Sequence, residues 1–171
     1  MPLNSTSVLI TSLSDKVFEQ IERTEHLLTL IDDKQLDWRP AAEVFTMGEL
    51  LGHLLESVAG FCAVLFALNR EELSHFDSLR ELPVNHRCTP GEATARLRQY
   101  HSYLEEGFAL LNDQELTRQI PTMFVPQGET ALTLLLGNLE HLINHKHQLF
   151  FYLKLSGIEV TSPDLYRFRG V

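Results

Sequence analysis

Apolar residues recur along this chain at alternating steps of three and four, the period of a helix with one buried face, in four long stretches. From Ser5 to Ile31, residues Ile10, Leu13, Val17, Ile21, Leu28 and Ile31 close on that pattern once Thr24 fills one gap. A second stretch opens at Thr46-Met47-Gly48-Glu49, where a threonine and a glutamate three residues on form a capping box. Its stripe is Met47, Leu50, Leu54, Val58, Phe61, Leu65 and Leu68. The third opens with a similar box, Thr89-Pro90-Gly91-Glu92, with proline at its favoured first position, and carries Leu97, Tyr100, His101, Leu104, Phe108 and Leu111 inward. The fourth runs from about Ala131 along Leu135, Leu139, Leu142, Leu149 and Leu153, and Gly157 supplies its C-cap.

Between these stretches the pattern breaks. Asp32, Asp33 and Asp37 end the first helix, and Pro40 keeps LDWRPAAEVF irregular; Trp38 plugs that loop onto the bundle. Residues 69–88 form a long charged connection with room for a helical turn, and Pro121, Pro126 and Gly128 make 113–130 an irregular crossing. The one strand candidate is the short run IPTMFV at 120–125, and the tail TSPDLYRFRGV is too short for an element of much size. The expectation is an all-α four-helix bundle with long crossover connections, a single domain over 1–171.

Beside the apolar stripe of the fourth helix runs a second, polar row: Asn138, His141, His145, Gln148 and Tyr152. Groups at that period share one line of a helix, so His141 and His145, one turn apart, aim at a common point. The second helix has a matching flank of Glu49, His53, Glu56, Ser57 and Gly60. A divalent transition ion binds imidazole at about 2.0–2.1 Å, and a catalytic site typically keeps three protein ligands and an open position. His53, His141 and His145 are the candidate ligands. Glu49, Glu56 and Gln148 are candidates to orient them or to move a proton. Imidazole ligands suit zinc, nickel, iron or copper. His101 is the next candidate, read as a histidine at the edge of the core. His147 points off the row, and His26, His75 and His86 sit in polar surroundings and are read as surface residues.

Charge and cysteine content narrow the classes. A formal net charge of −9 without a Lys/Arg cluster disfavours nucleic acid as partner. No uninterrupted apolar run of about 18 residues marks a membrane span. The first residues lack a secretory pattern, so a cytoplasmic setting is expected. The two cysteines make no disulfide framework, and Cys62 lies in an apolar run as core filler. No GxSxG, phosphate-binding glycine loop or CxxC is present.

LDWRP, then TMGELLGHLLES, then HLINHKHQLFFYLKLSG together resemble the DinB-like (DinB/YfiT) superfamily of metal-binding four-helix bundles, in order and over nearly the whole chain. The resemblance maps that family's three metal-binding histidines onto His53, His141 and His145. Lys146, where the family commonly has arginine, and His147, where a small residue is typical, depart from the pattern beside the ligands. The resemblance implies a homodimer, to which Phe150 and Phe151 would contribute, and a small-molecule substrate handled with a low-molecular-weight thiol. Three expectations follow: a metal-dependent thiol S-transferase, a metal-dependent hydrolase, or a non-catalytic metal or small-molecule binding protein.

Overall fold

Capping settles where the long helices begin. In the computed structural model, which describes residues 7–123 and 125–167, they are α1 (Val8–Leu28), α2 (Met47–Leu68), α3 (Pro90–Ala109) and α4 (Ala131–Leu155). At the start of α2 the Thr46 hydroxyl accepts the Glu49 N–H at 3.3 Å, and the Glu49 carboxylate accepts the Thr46 N–H at 2.7 Å. Thr89 and Glu92 do the same for α3 at 3.2 and 2.7 Å. Helix α4 starts on Thr130, which accepts the Thr133 N–H at 3.2 Å. It ends in a Schellman motif, with Gly157 at φ 90° and Ile158 N–H bonded to the Leu153 carbonyl at 2.9 Å.

Helix α1 stops at Leu28, three residues before the expected Ile31. The cause is local: Asp32 caps a new 3-10 turn at Asp33–Gln35, and Ile31 drops into the core from the turn before it. Ser5 lies outside the described residues. Segment 69–88 contains a longer 3-10 piece, Ser74–Glu81, where a helical turn was expected. Among the described residues of the strand candidate 120–125, only Ile120 pairs: Gln119–Ile120 and Glu129–Thr130 make a two-residue antiparallel ladder. Phe124 is outside the described residues. The tail forms one helical turn, Ser162–Leu165.

Helix α2 packs on α3 and α4, and α1 packs on the same two from the opposite corner. Cys88 N–H bonds to the Gly48 carbonyl at one end of the α2–α3 seam, and Leu65 lies against Gly107 at the other. Those two helices therefore run parallel, and residues 69–88 travel back the length of the bundle to make it so. Phe18 touches both His101 and Phe108 while Glu25 pairs with Arg98, so α1 and α3 are antiparallel. The expected inner stripes of α1, α2 and α4 are buried, save Leu139, which is half-buried. Thr24 is fully buried, with its hydroxyl satisfied by the Gln20 carbonyl at 2.9 Å. Helix α2, among the described residues the one helix long and apolar enough to cross a bilayer, is the centre of this bundle. Trp38 seals its loop edge-on against Tyr152, ring centroids 5.6 Å apart.

Two residues sit where the sequence pattern did not put them. Phe150 is buried, with the Lys154 ammonium over its ring, so of the Phe150–Phe151 pair only Phe151 is on the surface. Lys146 is 1% exposed. Its ammonium donates to Gln20 Oε1 at 2.6 Å and to the Leu165 carbonyl at 2.9 Å, tying the C-terminal turn to the bundle.

Candidate metal centre

The two polar rows meet along the α2–α4 seam. Gly60 stands against Asn138, His53 against His141 and His145, so the two helices are antiparallel here and both rows face the same line. A Cβ on Gly60 would overlap the Asn138 amide; its absence lets the helices close on one another just above the histidines. The ring centroids of His53 and His141 are 5.5 Å apart, those of His53 and His145 4.4 Å, and those of His141 and His145 4.6 Å. One ring nitrogen from each falls within 4.8 Å of the other two. All three side chains are half-buried.

Hydrogen bonds decide which nitrogen is offered. His53 Nδ1 lies 2.5 Å from Asn85 Oδ1 and 3.3 Å from the Glu56 carboxylate. His145 Nδ1 lies 2.9 Å from Gln148 Oε1. Amide and ionised carboxylate oxygens only accept, so in both rings Nδ1 carries the proton and Nε2 keeps its lone pair for a ligand. Burial pushes the pKa of His141 and His145 below the ordinary imidazole value; for His141 the neighbouring His53 adds to this, with Glu56 pulling the other way. For His145 the Gln148 bond opposes the burial effect, and His53 and His141 reinforce it. Neutral imidazoles with a fixed tautomer are the form that a divalent transition metal requires. The donor set fits such an ion.

Around the cluster, Gln148 also approaches the Tyr152 hydroxyl at 3.5 Å, and that hydroxyl donates to the Phe45 carbonyl at 3.1 Å. The Phe45 ring lies 4.9 Å from that of His53. The loop before α2 is thus tied to both helices at the rim of the site. Glu49 is occupied by its capping box, which holds its carboxyl below the usual range through the Thr46 N–H and hydroxyl. It lines a recess with Arg39, Val44, Phe45 and Gln148, of about 480 Å³.

Asn85 was not singled out by the sequence. It lies 32 residues from His53 in the long connection and adopts the left-handed conformation, φ 56°. Asparagine tolerates that region better than most residues, but the same is true of any turn asparagine. Its placement depends on Gly52, where a Cβ would overlap the His86 carbonyl, and on the Asn85 N–H bond to the Gly52 carbonyl at 3.1 Å.

The other candidates lie elsewhere. His101 stacks on Phe18 with centroids 4.6 Å apart, at the edge of the core as expected. His147 faces the C-terminal segment, its Nδ1 donating to the Ile143 carbonyl at 3.0 Å. His26 and His75 pair with Asp164 and Glu106, at 2.7 and 2.8 Å. His86, expected at the surface, is half-buried where its own loop docks on Gly52. Cys62 borders a separate apolar cavity of about 250 Å³, and burial pushes its thiol up to about 12, which leaves it inert as a nucleophile.

A sequence profile of the DinB superfamily matches residues 19–149. Comparison with curated protein sequences found no significant match. Among solved structures, the fold is similar to a DinB-like protein (YjoA) of Bacillus subtilis, with TM-score 0.70 and 20% identity, over 91% of this chain and 99% of that one. It is also similar to a protein of Exiguobacterium sibiricum 255-15 ascribed to the DinB family, with TM-score 0.63 and 21% identity, over 94% of this chain and 99% of the other. By its match over most of its length, this chain belongs to the DinB superfamily.

Proposed function

We propose that the protein is a metal-dependent transferase that joins a low-molecular-weight thiol to an electrophilic small molecule. The observation that carries this reading is the His53–His141–His145 cluster, three half-buried imidazoles with two tautomers held by amide oxygens. A divalent ion held there would supply Lewis acidity, lowering the pKa of a thiol brought to it from about 8.5 towards neutrality. The chain's own residues do the rest. Asn85 and Gln148 keep the imidazoles in place, and Glu56, beside His53 and partly open to solvent, accepts the thiol proton. The recess of Arg39, Phe45, Glu49 and Gln148 receives the polar body of the thiol. In the transfer, sulfur forms a bond to carbon, the carbon's leaving group departs with its electron pair, and the proton passes to Glu56 and then to water.

The test pairs bacillithiol, mycothiol, glutathione or cysteine with monochlorobimane, which releases chloride on conjugation. Metal-loaded protein accelerates at least one pairing and the His141→Ala protein does not. Equal rates for both proteins across the panel would remove the transferase reading, and hydrolysis of ester or amide substrates by the same sample would put a hydrolase in its place. The reading includes a homodimer, for which Phe151 and Leu155, 57% and 64% exposed one turn apart, supply an apolar patch. Light scattering that returns a monomer at tens of micromolar excludes it.

A further inference from the structure

Both rows that meet at the histidines continue past them. On α2, the positions Glu49, His53, Glu56, Gly60, Ala63 and Ala67 follow each other at steps of four and three, so the line that carries His53 continues as three small residues. On α4, the line of His145 and His141 continues through Asn138 to Leu134, with Gly137 beside it. Because the helices are antiparallel, these two halves face one another. Ile120 and Met123, from the crossing before α4, add a third wall. The result is an open groove of about 690 Å³ whose exposed lining is mostly apolar.

Asn138 belongs to both features. It lines the groove and stands three residues, one helical turn, from His141. The groove therefore begins at the Gly60–Asn138 contact, about one helical turn along the seam from His141. From Gly60 to Ala67 the α2 wall is roughly 10 Å long at 1.5 Å per residue, the length of an extended chain of about eight carbons. Leucine at Ala63 or Gly137 would fill this space; the residues present leave it open. Met123, 86% exposed on its edge, is an adaptable apolar side chain suited to closing over a bound chain.

We infer that this groove is the apolar arm of the substrate site. It takes the hydrocarbon portion of an electrophile whose reacting carbon lies at the histidines. The substrates are accordingly amphipathic: a polar reacting end at His53, His141 and His145, and an unbranched or flat apolar end along Gly60, Ala63 and Ala67. This inference rests on the metal-centre reading above, and the experiment separates the two.

Zinc-loaded protein is titrated calorimetrically with aceto-, butano-, hexano- and octanohydroxamate, in which a chelating head is constant and only the alkyl chain grows. Affinity rises about twofold to fourfold per methylene, according to how completely each is buried. In Gly137→Leu the gradient flattens while acetohydroxamate binds as in wild type. A Cβ at Gly137 meets nothing within 4 Å, so the substitution fills the groove without disturbing the helix. Ala63→Leu, on the facing and exposed wall, gives the same result independently. If acetohydroxamate binds but affinity does not grow with chain length, or if both variants keep the gradient, the groove assignment is overturned and the metal centre stands. If the protein takes up no zinc, the metal-centre reading fails and takes the groove with it; if it takes up zinc and no hydroxamate binds, the open position the inference needs is absent and the groove assignment alone falls.

Discussion

Gly52→Ala tests whether a glycine outside the ligand set governs metal affinity. A Cβ there would overlap the His86 carbonyl oxygen and sit 2.7 and 2.8 Å from the His86 carbonyl carbon and nitrogen. Backbone cannot give way as a side-chain tip does, so the segment around Asn85 must withdraw by about 1 Å or more to restore ordinary van der Waals contact. That withdrawal breaks the Asn85 N–H bond to the Gly52 carbonyl, now 3.1 Å, and takes Asn85 Oδ1 out of reach of His53 Nδ1, now 2.5 Å. Two neutral hydrogen bonds are worth about 1 kcal/mol each in net stability. Replacing a mid-helix glycine by alanine returns up to about 1 kcal/mol. The global loss is then on the order of 1 kcal/mol, or about 2–4 °C in melting temperature for a chain of this size. Metal affinity falls further, by about 10–100-fold, because the group that orients a ligating histidine has been removed. Zinc affinity is measured by competition with a chromophoric chelator, and melting by circular dichroism on the metal-free protein. Asn85→Gly separates the causes: it keeps the left-handed backbone at φ 56° and deletes only the acceptor, and it shows the same loss of affinity. Wild-type zinc affinity in both variants would refute the argument that Asn85 positions His53.

Three further outcomes are expected. Alanine at His53, His141 or His145 abolishes stoichiometric metal binding by elemental analysis, whereas His147→Ala, whose ring bonds to the Ile143 carbonyl instead, retains it. In metal-free protein, His141 and His145 have folded pKa values below the unfolded value of about 6.5. The unfolded chain therefore binds more protons, and urea midpoints fall as pH drops from 7.5 through 6.5 to 5.5; a flat profile would contradict the half-buried, neutral assignment. Lys146→Met leaves Gln20 Oε1 and the Leu165 carbonyl without their donor, at a cost of about 1–3 kcal/mol for each acceptor that stays buried, and raises hydrogen exchange in the Ser162–Leu165 turn specifically.

What could be read from the sequence is what helices encode locally. A residue's face is set by neighbours three and four positions away, so the inner stripes, the Thr46–Glu49 and Thr89–Glu92 caps and the Gly157 terminus were all legible without tertiary information. The same periodicity put Asn138, His141, His145, Gln148 and Tyr152 on one line, and His53 with Glu56 and Gly60 on another, which was enough to bring the three histidines together as candidates. It did not reveal that α2 and α3 are parallel, because that depends on a charged connection returning along the bundle rather than on any period within it. Nor did it single out Asn85, Lys146 or the bond from Tyr152 to the Phe45 carbonyl. Their partners are 32, 126 and 107 residues away. Such contacts exist only after the helices have packed, since the period along a helix places a side chain on a face but does not say which distant element that face will meet. The sequence by itself determined which residues could ligate; tertiary packing and the bonds it brings decided which nitrogen His53 and His145 offer, and what lies at either end of the seam.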